Sequence, residues 1–260
     1  MIQQRQLFDE EFDVVVVGSG AGALTGALAA ATAGPRVALF EKTEFFGGTT
    51  AYSGGGIFIP NNPVILRAGV PDTEELGRGY LRRSIAGRTP EPLQDAYLRS
   101  GPEMVAWLEE QGYASFRWSS AFPDYHTDFP EGMAMGRTMG QTPVVGDDVA
   151  ALGDRVRQIR PPLPRGQGGH PRAADPNLLL GGQALLARLL SACDRAGVDL
   201  RLETGMDDLV LDGSGAVTGV RVSRRGAART VRARRGVLLA AGGFERGDEF
   251  RRRYQPVGAA

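Results

Sequence analysis

The chain has 260 residues, an ordinary apolar share of 42%, and 30 basic residues balanced by 30 acidic ones. This length holds one large or two modest domains, the composition excludes disorder as the default, and a zero net charge gives no overall field for nucleic acid or an anionic membrane. The single cysteine, Cys193, excludes an intrachain disulfide, so a packing role for it in a reducing, cytoplasmic setting is expected.

After a polar lead, residues 12–17 form a continuous β-branched run closed by glycine, the pattern of a strand buried on both faces of a parallel sheet. The run is too short for a spanning helix or a secretory apolar core, so no membrane span is expected. Residues 21–33 are rich in Ala and Leu and predict a helix lying close to a sheet, stopped by Gly34 and Pro35. A second short strand over 36–40 ends at Glu41, completing a βαβ unit. Residues 46–63 are crowded with Gly, Thr, Ser, Asn and Pro, which suits backbone that wraps a ligand.

Helices are expected over 73–86 and 91–111, then a strand at 116–118 and a Pro/Gly-rich aromatic stretch around Tyr125. The shift in composition suggests an inserted cap domain, with residues 161–176 as its proline-rich returning loop. A helix at 182–196, a strand at 198–202 and a hairpin over 208–223 turning at Asp212 and Gly213 follow. Residues 230–233 read as a third hairpin member, and 236–241 as a separate apolar strand that resumes the sheet before Gly242 and Gly243. The fold class expected is α/β: a Rossmann-like, doubly wound domain in two parts, 1–66 and 177–260, interrupted by an α+β cap over 67–176.

Gly18-Ser19-Gly20-Ala21-Gly22-Ala23 fits the dinucleotide fingerprint directly after a buried strand and at the opening of a helix. Gly18 permits the tight turn, Gly20 lets amides approach a pyrophosphate, Ala23 keeps helix and strand close, and the helix start favours anions. Glu41 lies 21 residues beyond Gly20, placed to accept hydrogen bonds from a ribose diol and to repel a 2′-phosphate. Lys42, then Gly47, Gly48, Thr49 and Thr50, then Ser53, Gly54, Gly55 and Gly56 form a second glycine-rich ladder, which favours FAD over NAD as the cofactor. A glycine-rich turn without a ligand, or a plain surface loop, is the simpler alternative.

These stretches, with LLAAGGFE at residues 238–245, resemble the 3-ketosteroid Δ1-dehydrogenase group of the fumarate reductase/succinate dehydrogenase flavoprotein superfamily. The resemblance implies that the backbone near Met206 meets the adenine and that Ala240, Ala241, Gly242 and Gly243 pass beside the ribityl and pyrophosphate. It implies dehydrogenation of a steroid-like cyclic ketone, hydride going to flavin and onward to an electron acceptor, and a proton going to a tyrosine base. Tyr125 resembles the cap-side tyrosine that assists that base; an aromatic packing residue in a Pro-rich loop is the alternative. Relatives in that family are longer, and the principal base and a carboxy-terminal flavin segment have no counterpart in this sequence. A truncated product, or a second chain supplying the missing half, is therefore expected. A fumarate-reductase-like enzyme and a non-catalytic FAD-binding fragment stand as competing readings.

His126 and His170 are read as surface residues, no metal is expected from one Cys and two His, and the basic stretch 221–235 is read as a solvated strand face rather than a nucleic-acid surface.

Overall fold

A computed structural model describes residues 7–145, 155–156, 178–245 and 247–255. The expected loop over 161–176, including His170, lies outside the described residues. The elements run β1 (Glu10–Val17), α1 (Ala21–Thr32), β2 (Val37–Phe40), a 3-10 turn (Gly48–Tyr52), β3 (Ile57–Phe58), α2 (Pro63–Arg67), α3 (Glu74–Ile85) and α4 (Glu91–Glu110). They continue through β4 (Phe116–Trp118), β5 (Thr138–Gln141), β6 (Val144–Val145), β7 (Leu178–Leu179) and α5 (Gly181–Arg195). Last come β8 (Asp199–Arg201), β9 (Thr204–Leu211), β10 (Val217–Arg224), β11 (Ala227–Leu239) and α6 (Asp248–Tyr254). Two compact units result, one made of Met1–Thr49 with Cys193–Ala260 and the other of Thr50–Ala192.

The first unit is α/β. Its six-stranded sheet has the order β8-β2-β1-β11-β10-β9. β1 pairs in parallel with β2 on one side and β11 on the other, so Val15, Val16 and Val17 are buried, which explains an apolar run without alternation. α1 buries Ala23, Leu24, Ala27 and Leu28, and its small residues let it approach the sheet. A Cβ at Gly26 would stand 2.4 Å from the Leu238 side chain.

The carboxy-terminal strands correct the sequence reading. Residues 230–233 and 236–241 are not two strands, because one strand, β11, runs unbroken from Ala227 to Leu239 and ends before Ala240. Its first half pairs antiparallel with β10 and most of its length pairs in parallel with β1. One extra residue is absorbed where Phe12 pairs with Ala233 and Val14 with Gly236, and Gly236 sits there at φ +155°. The glycine thus marks a bulge rather than a strand end. The basic stretch does lie along β10 and β11, where Arg221, Arg225, Arg229, Arg232 and Arg234 pair with Asp208, Glu203, Glu10 and Glu11.

The second unit mixes α and β. It carries α2, α3 and α4, the sheet β3-β5-β4 and the ribbon β6-β7. Buried Asn62 starts α2 by accepting from Val64 N and Ile65 N, and Thr73 starts α3 by accepting from Leu76 N. Among the described residues no helix is long and apolar enough to cross a membrane.

Candidate functional site

Strand ends in the first unit build the site. The chain leaves β1 through Gly18, whose φ is +101° and whose Cβ, if present, would lie 2.4 Å from the Ala240 carbonyl oxygen. Only glycine lets the ends of β1 and β11 run this close. Gly18 N donates to Phe40 O at 2.8 Å and Ala240 N donates to Val17 O at 2.9 Å, so three strand ends are tied at one point. Gly20 then caps α1 without any side-chain hydrogen bond. First-turn amides have no acceptor within their own helix. Gly22 is exposed, with nothing within 4 Å of a Cβ added there, so the helix start is sterically open to an anion. Ala21 follows Gly20 in this turn, and Ala23 is buried.

Glu41 directly follows β2 and is buried. Its Oε2 accepts from Ser19 Oγ at 2.5 Å, and its Oε1 accepts from Thr43 N at 2.9 Å and Thr43 Oγ1 at 2.8 Å. Ser19 Oγ in turn accepts from Gly47 N at 2.9 Å. A hydroxyl in the fingerprint therefore joins the acid to the glycine ladder. Thr43 is a site residue that sequence reasoning missed; its position two residues past the acid is the only local signal for it.

Gly47 and Gly48 adopt φ of +122° and +48°, and the Thr49 hydroxyl donates to the Glu245 carboxylate beyond β11. Lys42 is exposed. Met206 lies on β9 opposite Val222, its side chain packed on the core. The backbone just before it reaches the acid, because Thr204 N donates to Glu41 O at 2.8 Å and Glu203 N to Thr43 O at 2.9 Å. Ala240 is half-buried, and Ala241, Gly242 and Gly243 are exposed after β11. Thus Gly18 to Ala23, Glu41, Gly47 to Thr49, the start of β9 and the end of β11 gather in one unit.

Thr50, Ser53, Gly54, Gly55, Gly56 and Tyr125 belong to the second unit. Ser53 Oγ donates to Thr50 O at 2.8 Å and accepts from Gly55 N at 3.1 Å. Gly55 has φ +65°, and its Cβ would stand 2.5 Å from the Gly181 carbonyl carbon, while a Cβ on Gly182 would stand 1.8 Å from Thr50 O. Packing against the start of α5 thus already demands glycine at 55. Gly54 and Gly56 are exposed.

Tyr125 is fully exposed, so it is not the packing residue that its Pro-rich setting allowed. Next to it, His126 stacks on Phe129 with ring centroids 4.6 Å apart, and its backbone N donates to Tyr80 Oη at 3.2 Å. Sequence reasoning also missed the buried cluster of Arg137, Asp72 and Asp124 in this unit. Cys193 is buried; its thiol donates to Leu24 O at 3.3 Å, and burial, with Asp194 adding to it, pushes its pKa up to about 12. Among the described residues no group of three or more His, Cys, Asp or Glu is placed to hold a metal ion.

The donor set suits a dinucleotide. The helix start is open at exposed Gly22 and its dipole favours phosphate, and three donors fill three of the roughly four lone-pair positions of the Glu41 carboxylate, leaving room for a ribose hydroxyl.

Comparison with known proteins agrees. A family model described as an FAD binding domain matches residues 13–260. A 3-oxosteroid 1-dehydrogenase of Mycobacterium tuberculosis is 37% identical over 282 residues, covering 95% of this chain and 50% of its own length. A 4-oxocyclohexanecarboxylate 2-dehydrogenase of Sinomonas cyclohexanicum is 36% identical over 250 residues, covering 90% of this chain and 44% of its own. The crystal structure of a 3-ketosteroid delta1-dehydrogenase from Sterolibacterium denitrificans, in complex with 1,4-androstadiene-3,17-dione, superposes with a TM-score of 0.82 at 30% identity, covering 96% of this chain and 51% of its own. The chain spans about half the length of the curated relatives it matches.

Proposed function

Since the chain belongs to the FAD binding domain family over residues 13–260, with FAD as its cofactor, we propose that it is the cofactor-binding and cap portion of a dehydrogenase acting on a cyclic ketone. The observation that carries this reading is the Gly18 turn joined through Ser19 to buried Glu41. In it, amides of Gly20, Ala21, Gly22 and Ala23 face the pyrophosphate, Glu41 accepts from the adenosine ribose, and the backbone leading to Met206 borders the adenine. Lys42, Gly47, Gly48 and Thr49, Thr50 with Ser53 to Gly56, and Ala240 to Gly243 line the remaining length of the cofactor.

Bound FAD supplies a hydride acceptor. This chain's part in the reaction is to fix that acceptor and to present the Tyr125 phenol, which assists proton removal from the ring carbon next to the one losing hydride. The substrate class is a 3-ketosteroid or a smaller ring ketone, supported by relatives named for a 3-oxosteroid and for 4-oxocyclohexanecarboxylate. Electrons pass to a separate acceptor, and polypeptide beyond these 260 residues, in the same or a second chain, supplies the principal base. A cytoplasmic setting agrees with a lone, buried, reduced Cys193.

The test is the visible spectrum of purified protein, followed by anaerobic addition of a 3-ketosteroid. A flavin spectrum is the expected result, with bleaching only once the polypeptide that carries the principal base is also present, whereas protein that neither carries nor takes up FAD overturns the reading.

A further inference from the structure

Three charged side chains lie wholly inside the second unit, and the cofactor chemistry uses none of them. Arg137, just before β5, has an exposure of 0%, as do its partners Asp72 and Asp124. Its Nε donates to Asp72 Oδ2 at 2.9 Å, one terminal nitrogen donates to Asp124 Oδ2, and the other to Glu131 O at 2.9 Å. The guanidinium also lies over Tyr80, with Cζ 5.3 Å from the ring centroid. Burying such a cluster is a poor route to stability, because desolvation offsets most of the Coulombic gain and packed apolar side chains do as well.

What the cluster does supply is geometry. Asp124 accepts from Arg137 N at 3.0 Å through Oδ1 and from Met133 N at 3.1 Å through Oδ2, while its own N donates to Met133 O at 3.0 Å. The loop closes on itself as well. A Cβ on Gly132 would stand 2.2 Å from His126 O, and one on Gly136, at φ +69°, would stand 1.7 Å from Phe122 O. Both glycines are therefore required by the loop's own backbone. On this tightly determined loop the residue directly after Asp124 is the fully exposed Tyr125. An exposed aromatic carried on a buried ionic anchor is held out for a use.

We propose that Arg137 is a positioning residue: through Asp124 it fixes the backbone that carries Tyr125 and so sets where that phenol stands. This rests on the reading of Tyr125 as substrate-facing.

Hydrogen exchange on the intact chain tests it, with two variants. Arg137→Lys keeps a charge but not the planar fork, and Arg137→Met combined with Asp72→Asn and Asp124→Asn removes the cluster without stranding a buried charge. In both, amides of residues 124–129 and 131–136 should exchange at least about tenfold faster, while β4 and β5 keep their protection. An Arg137 that merely filled space or balanced charge would be rescued by lysine, so full loop protection in Arg137→Lys overturns the proposal. Equal loss of protection in β4 and β5, or failure of both variants to fold, also overturns it, since the residue then holds the whole unit. Separately, 3-fluorotyrosine placed at position 125 should shift its fluorine resonance when a 3-ketosteroid is added to otherwise unaltered protein. No shift sinks the substrate-facing reading alone, while the exchange result still decides what Arg137 holds.

Discussion

Glu41→Gln separates the acid's part in the fold from its part in cofactor recognition. In the native network Oε1 takes two donors from Thr43 and Oε2 takes the Ser19 hydroxyl. An amide of the same shape keeps its oxygen toward Thr43 and turns its NH2 toward Ser19, whose hydroxyl rotates to accept. The buried Ser19 hydroxyl, which already accepts from Gly47 N, then has no acceptor for its own proton, so the fold should lose about 1–3 kcal/mol. A ribose hydroxyl, however, then meets an amide whose single oxygen is already occupied. The charge-assisted bond lost there is worth about 1.5–3 kcal/mol. That corresponds to a roughly ten- to hundredfold rise in Kd for FAD. The assay is titration by quenching of flavin fluorescence, run in parallel with FMN, which has no adenosine ribose. FAD affinity should fall while FMN affinity stays the same. If both fall together, or neither moves, Glu41 does not hold the ribose.

Two glycines of the same fingerprint should part company. Gly18→Ala forces a Cβ to 2.4 Å from Ala240 O at φ +101°. Thermal melting should show a loss above about 2 kcal/mol. Gly22→Ala meets nothing within 4 Å in the chain, so stability should rise by up to about 1 kcal/mol. Tyr125→Phe should leave the melt within about 0.5 kcal/mol, since the ring is fully exposed, yet slow flavin bleaching by ketosteroid roughly a hundredfold once the polypeptide carrying the principal base is present. Burial pushes the Cys193 thiol from 9.0 up to about 12, so the folded chain keeps a proton that the unfolded chain loses. Its contribution to stability is therefore intact below pH 9 and declines as pH rises from 9 to about 12. Urea midpoints across this range should show that decline in the native protein and lack it in Cys193→Ala.

What the sequence made legible was what neighbours along the chain decide. Four successive valines closed by Gly18 can only be a strand buried on both faces, and the helix that follows is announced by small residues that must lie near a sheet. Glu41 was legible because a fixed spacing carries it to the end of the adjacent strand. Thr43 was not, because its value depends on a rotamer that returns its hydroxyl to the acid two residues back. Gly236 misled for a related reason. A glycine between two apolar stretches reads as a strand end, yet β1, more than two hundred residues earlier, supplies the pairing that carries β11 across the bulge.

Arg137 is the extreme case. Its partners stand 65 and 13 residues away, and nothing local distinguishes it from the many arginines in solvent. Polar residues whose role is to hold another residue carry no pattern of their own, so they emerge only when the fold brings their partners together. The same holds in reverse for Tyr125. Its candidate role came from the family resemblance alone, and its exposure was not legible, because exposure follows from the buried anchor beside it. A site of this kind is therefore read in two passes: the residues that touch the ligand come from motif and spacing, and those that aim them come from buried charge.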